Sequence, residues 1–216
     1  MTSDDVMDEA LAGLLSGDES AFRTVYRAVH PPLLRYLSVL VGPVDAEDVA
    51  SEAWAQAIRD IDRFVGDADG FRAWITTIGR HRALDHLRRE RRRPTVDLAL
   101  LDADESLPDA TDLVARVLEE ESTQAAVALI AALPKDQAEA VMLRAVLGFD
   151  VGTAARILGK RPGAVRSAAH RGLKTLAGRL GQTGVLQTVM ATWLCALVQT
   201  TRGAGVTPRV GAALRK

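Results

Sequence analysis

In the stretch WITTIGRHRALDHLRRERRRP, residues 74 to 94, a flat ring, a polar ring and a guanidinium recur every seven residues: Trp74, His81 and Arg88. On a helix turning about 100° per residue these side chains form one stripe, with Asp85 close by. Aromatic rings stack on exposed bases and arginines hold phosphates, so the set suits single-stranded or partly opened nucleic acid. The plainer alternative puts Trp74 in a core and makes the Arg80 to Arg93 run a solvated face. A catalytic use would make His81 and Asp85 an oriented base, or gather Asp45, Asp48 and Glu52 around a metal. Against it, no Ser or Cys has nucleophile motif context and no Gly-rich phosphate loop occurs. The three acids already serve a helix dipole. Neither metal nor cofactor is expected.

A second basic set lies in VGTAARILGKRPGAVRSAAHRGLKTL, residues 151 to 176. A short helix, a Gly turn and a longer helix carrying Arg166, Ser167, His170, Arg171 and Lys174 have the layout of a helix-turn-helix. Val165, Ala169, Leu173 and Leu176 form the expected inner stripe, which leaves the polar set for a major groove. Helical hairpins with Gly turns are common. Two basic helical sites on one chain carry more weight than either alone.

The elements that must position these sites are helical. The 216 residues are 48% hydrophobic and 25% charged with only 4% aromatic, strand-like alternation is absent, and the expected class is all-α. A formal charge of −1 hides strong segregation. Asp4, Asp5, Asp8, Glu9, Asp18 and Glu19 precede the first base, Arg23, and residues 97–121 are acidic with Arg116 as their only base. Basic blocks run from Arg80 to Arg93 and from Arg156 to Arg179, and local clusters are what attract phosphates. A single Cys195 excludes an intramolecular disulfide and a Cys-rich zinc site. The chain opens without a signal peptide pattern, and its longest apolar stretch, residues 185–198, is too short and polar to span a bilayer. A cytoplasmic protein without membrane insertion is expected.

Residues 21–40 read as one or two helices interrupted at His30-Pro31-Pro32, followed by a turn at Gly42-Pro43. Asp45 is the expected cap of the next helix, and residues 66–70 the expected break before the basic one. Phe71, Ile75 and Ile78 share one face of that helix, whereas Leu84 and Leu87 point almost oppositely. Two small helical domains result, at 1–95 and 124–180, joined by an acidic linker at 96–123. A C-terminal helical extension, 181–216, carries Leu186, Val189, Met190, Trp193 and Leu197 at helical spacing. That stripe suits either packing on the second domain or a regulatory contact.

Three stretches, DAEDVASEAWAQAI with IDRF, FRAWITTIGRHRALDHLRRERRR and LPKDQAEAVMLRAVLGFDVGTAARILGKRPGAVRSAAHRGL, occur in the order found in bacterial sigma factors. Over most of residues 20 to 180 the chain resembles the extracytoplasmic-function (ECF) group of the sigma-70 family of RNA polymerase sigma factors. The resemblance implies a region-2-like first domain and a region-4-like second domain. It implies that Asp45, Asp48, Glu52, Gln56 and Arg59 meet the β′ clamp helices of core RNA polymerase, with the β flap as a second contact.

By the same resemblance, the loop with Val65, Gly66, Asp67 and Asp69 captures a flipped minus-ten base. Phe71, Trp74, His81, Arg88 and Arg89 then receive the opened strand, and Arg91 and Arg92 hold phosphates. Extruding a base costs a few kcal/mol, which a stacking surface with cations offsets. Arg161, Arg166, Ser167, His170, Arg171 and Lys174 read the minus-thirty-five duplex, with Arg166 and Arg171 placed for guanine. His81 stands where the family commonly has Asn, and Arg161 replaces a capping Ser. Ala164 and Ala168 replace Thr and Arg, which implies one duplex contact fewer. Family members are often restrained by an anti-sigma factor, an expected partner here. The competing reading is a one-component helix-turn-helix regulator whose first domain senses a signal or dimerises.

Overall fold

Helices make up the regular structure of the described residues, 3–92 and 123–181, in the computed structural model. The predicted linker and the C-terminal stripe from Leu186 to Leu197 lie outside them.

The acidic N-terminus forms a helix that its charges did not announce, α1 (Ser3–Leu15). It buries Ala10, Leu11 and Leu14. Asp18 then accepts from the Ser20 N–H at 2.8 Å and caps α2 (Glu19–Val41). Pro31 and Pro32 lie inside this helix without dividing it. Their missing donors are tolerated because one face, Val25, Val29, Leu33, Tyr36 and Leu37, stays buried straight past them.

Gly42, at φ 89°, reverses the chain, and Pro43 opens α3 (Pro43–Arg59) with a preset helical φ. Asp45 is therefore not the cap. It sits in the first turn, where it favours the dipole and lies 3.3 Å from Nε2 of His86. One 3-10 turn (Ile61–Arg63) leads to α4 (Ala68–Glu90), capped by Asp67, whose carboxylate accepts from the Gly70 N–H at 2.8 Å. The expected break at 66–70 thus ends at Asp67, and Gly70 belongs to the first helical turn. Residues Val49, Ala53, Trp54, Phe71 and Ile75 close the core between α2, α3 and α4.

The second unit begins in α5, helical over residues 123–131, and continues through α6 (Lys135–Val141), which widens into a π turn (Met142–Val146). Asp150 accepts from the Gly152 and Thr153 N–H groups and caps α7 (Val151–Leu158). Left-handed Gly159 at φ 63° ends α7, and α8 (Pro162–Gly181) follows.

The buried stripe of α8 is Val165, Ala168, Ala169, Gly172 and Leu176, not the predicted set with Leu173, which is 43% exposed. Gly172 is the reason. A Cβ there would stand 2.7 Å from Val141 Cγ2, so the backbone of α8 approaches α6 at this point and turns Leu173 outward.

The two units pack on each other through α2 and α6 and through α4 and α7. Arg80 on α4 donates through Nε to Glu139 on α6 at 2.8 Å, with side chains 15% and 4% exposed. Burial opposes the Arg80 charge, but Glu139's hydrogen bond and charge outweigh it and hold the guanidinium's pKa above its usual value. Tyr36 lies within electrostatic reach of both. Burial first, and Glu139 second, push its phenol pKa far upward. Arg72 completes the junction, donating to the Leu147 carbonyl at 2.8 Å and standing 5.7 Å from the centre of the Phe149 ring.

Candidate nucleic-acid interface

The loop before α4 is held from beneath by aromatic packing. Phe64 meets Phe71 edge-on at 5.4 Å between ring centres and Trp74 at 5.2 Å. Gly66 lies close over Phe64, so a Cβ there would stand 3.1 Å from its ring. Val65, carried on this support, is 94% exposed. An apolar side chain so far out of the core is available to an unstacked base.

Along α4 the predicted stripe divides. Phe71 is 1% exposed and belongs to the core, which corrects its assignment to a strand-receiving surface. Trp54, Phe64 and Trp74 surround its ring, and no base reaches it. Trp74 is partly buried against Phe64 and Phe71, so it combines the stacking and core readings. His81 is exposed. Asp85 pairs with Arg88 at 2.8 Å rather than orienting His81, which removes the geometry required for an oriented base. Asp69 is exposed and pairs with Arg72 at 3.0 Å.

The polar face of α3 turns out to be continuous with the basic end of α4. Gln56 accepts two hydrogen bonds from Arg82, at 2.9 and 2.7 Å, and Glu52 lies 3.4 Å from Arg89. A groove of about 790 Å3 runs between the helices, lined in part by Glu52, Arg59, Arg82, Arg88, Arg89 and Arg92. Asp48 and Arg59 are exposed, and so are Arg91 and Arg92 just past α4. Residues assigned separately to polymerase and to DNA therefore share one surface. No group of three or more His, Cys, Asp or Glu among the described residues is placed to hold a metal ion.

On α8 the positions divide cleanly. Arg161, Arg166, Ser167, His170, Arg171 and Lys174 are all exposed. The side chains of Arg166, His170 and Lys174 have no hydrogen-bond or ion-pair partner among the described residues. Ala164 is exposed but Ala168 is buried at 6%, so the helix as packed here presents no side chain at 168 to a groove. Nearby, Lys160 pairs with Asp136 at 2.6 Å and fixes the turn against α6.

Sequence reasoning missed Arg72, Glu139 and Asp8. The first two join the units, and the Asp8 carboxylate accepts a hydrogen bond from the Ala68 N–H at 2.9 Å. Each contact spans at least 59 residues, beyond any local pattern.

A helix-turn-helix with uncommitted outward cations, packed beside a second basic helix entered from an exposed loop, defines a helical DNA-binding protein. Comparison with known proteins gives the family. Sigma-70 region 2 matches residues 25–93, and Sigma-70 region 4 matches residues 123–176. The ECF RNA polymerase sigma factor BldN of Streptomyces coelicolor is 34% identical over 173 residues, covering 79% of this chain and 64% of the relative. SigD of Mycobacterium tuberculosis is 30% identical over 190 residues, covering 82% and 85%. Among solved structures, CnrH in complex with the cytosolic domain of CnrY has a similar fold, with a TM-score of 0.55 and 22% identity over 82% of this chain and 99% of that one. RpoE of Bartonella quintana, solved with the anti-sigma factor NepR, gives 0.51 and 23% over 72% and 93%.

The chain belongs to the ECF group of the sigma-70 family. It is a promoter-directing RNA polymerase sigma factor, and the one-component regulator is not favoured. Sigma factors are as a class non-enzymatic DNA-binding initiation factors. No helix among the described residues is long and apolar enough to cross a membrane.

Proposed function

We propose that this sigma factor engages the clamp helices of core polymerase through Asp48, Glu52 and Arg59 on α3, lodges a minus-ten base against the Val65 loop, and reads the minus-thirty-five duplex with α8. The observation that carries the reading is the exposed loop, with Val65 on an aromatic support directly ahead of a basic helix. Trp74 then stabilises the loop from below, and His81, Arg88 and Arg89 meet the opened strand. Arg91 and Arg92 hold its phosphates. The protein supplies binding energy for melting and no covalent chemistry, and it works in the cytoplasm with the polymerase.

Arg166 and Arg171 are the proposed guanine readers, and the β flap supports α8 on the duplex. The two promoter elements lie about 25 base pairs apart, roughly 85 Å of duplex. Two units in contact do not span that distance, so simultaneous reading frees Arg80 from Glu139 and Arg72 from Leu147. An anti-sigma factor is a proposed partner as well, as the complex of RpoE with NepR is for that protein.

Run-off transcription from genomic fragments, with purified core polymerase and this protein, tests the reading. The expected result is discrete start sites that share two upstream motifs and depend stoichiometrically on the protein. Tight, sequence-specific duplex binding that polymerase neither requires nor improves would replace the sigma reading with a regulator.

A further inference from the structure

The first turn of α4 leaves backbone N–H groups without helical acceptors. Asp67 satisfies Gly70 from within the loop, at 2.8 Å. The Ala68 N–H is satisfied from elsewhere: Oδ1 of Asp8, sixty residues away on α1, accepts it at 2.9 Å. Asp8 is not there by accident of a loose terminus. Ala10, Leu11 and Leu14 anchor α1 in the core, and Gly13 lets it approach α2 so closely that a Cβ would stand 2.6 Å from that of Ala21. Helix α1 lies outside the stretch matched to region 2, which begins at residue 25.

We propose that Asp8 is a positioning residue for promoter opening: it pins the N-terminal turn of α4 and so fixes the loop that presents Val65 to an unstacked base. The proposal rests on the reading of that loop as a base-capturing element. Two separate supports act on the loop, Phe64 under Gly66 and Asp8 on Ala68. Removing the second leaves the loop attached but lets its exit direction wander. Because the carboxylate also faces the positive end of the α4 dipole, a neutral acceptor restores most but not all of the effect.

The test uses the full chain with core polymerase on a promoter recovered by run-off transcription, and compares Asp8→Ala, Asp8→Asn and Val65→Asp. Hydrogen exchange over residues 64–71 reports the cap, permanganate reactivity of promoter thymines reports opening, and competition binding reports polymerase affinity. Asp8→Ala is expected to speed Ala68 exchange and to reduce the open fraction, each by roughly fivefold, with polymerase affinity unchanged. Asp8→Asn, which keeps the Oδ1 acceptor, is expected to restore most of both. Faster exchange with undiminished opening in Asp8→Ala, while Val65→Asp abolishes opening, would overturn the positioning role and leave the loop reading intact. Loss of polymerase affinity together with opening, unrescued by Asp8→Asn, would reduce Asp8 to a fold-stabilising residue. Undiminished opening in Val65→Asp would remove the loop reading itself.

Discussion

Helices α4 and α8 are both rich in arginine, yet they hold their cations differently. On α4, Arg72, Arg80, Arg82, Arg88 and Arg89 already have acceptors: Asp69 and the Leu147 carbonyl, Glu139, Gln56, Asp85 and Glu52. On α8, Arg166, His170 and Lys174 have no such partner among the described residues, and Arg171 touches an acid only through its long-range effect on Asp136. A helix that reads duplex benefits from cations free to meet base edges and phosphates at once. A helix that receives an opened strand works differently. In the function proposed for α4, Asp85 and Glu52 orient Arg88 and Arg89 beforehand, and nucleic acid takes the place of these acids when it arrives.

That contrast breaks most sharply at the junction between the units. Glu139→Ala leaves Arg80 without its partner in a largely buried site, a change that typically costs about 3–5 kcal/mol. The expected outcome is separation of the two units, seen as a longer interdomain distance by energy transfer, with much of the loss relieved in the double variant Arg80→Met, Glu139→Leu. Docking unchanged by Glu139→Ala would mean that apolar contacts alone hold the units together.

Next in size are the free cations of α8. Arg166→Ala and Arg171→Ala are each expected to lose roughly 1–3 kcal/mol of discrimination at particular upstream base pairs, measured by binding to promoter variants. Arg91→Ala and Arg92→Ala are expected to weaken binding at all promoters alike and to lower the salt slope by about one unit each. Uniform loss from all four would erase the distinction between reading and holding.

The smallest effect concerns the turn that aims α8. Hydrogen bonds from Thr153 and Gly152 hold the Asp150 pKa below the ordinary carboxylate value, and the hydrogen bond and charge of Lys160 do the same for Asp136. A folded-state pKa below the unfolded one contributes stability that is present above the unfolded value and is lost as pH falls through the folded one. Thermal melts of the second unit are therefore expected to fall as pH drops below about 4. Asp150→Ala is expected to remove about 1 kcal/mol at neutral pH and to flatten that fall.

Local periodicity carried the helices well. The seven-residue stripe put Trp74, His81 and Arg88 on α4, and the Gly turn located α7 and α8. The misreadings divide by physical cause. Phe71 and Leu173 are both apolar residues on helices, and only the neighbours decide that Phe71 is enclosed by Trp54 and Phe64 while Gly172 turns Leu173 outward. Asp45 looked like a cap because capping is a short-range rule, but Pro43 starts the helix two residues earlier. Arg80 stood in a basic run, and nothing within one turn of it revealed Glu139 59 residues on. Contacts that cross between units are set by packing, which periodicity does not encode.

Permanganate footprinting of a promoter with core polymerase, this protein, or both, decides whether the chain opens promoters with the polymerase. Reactive thymines are expected in the minus-ten region only when both are present, and are expected to disappear on changing Val65 to Asp. Reactivity with polymerase alone, or protection of upstream duplex by this protein with no thymine opened after polymerase is added, would contradict it.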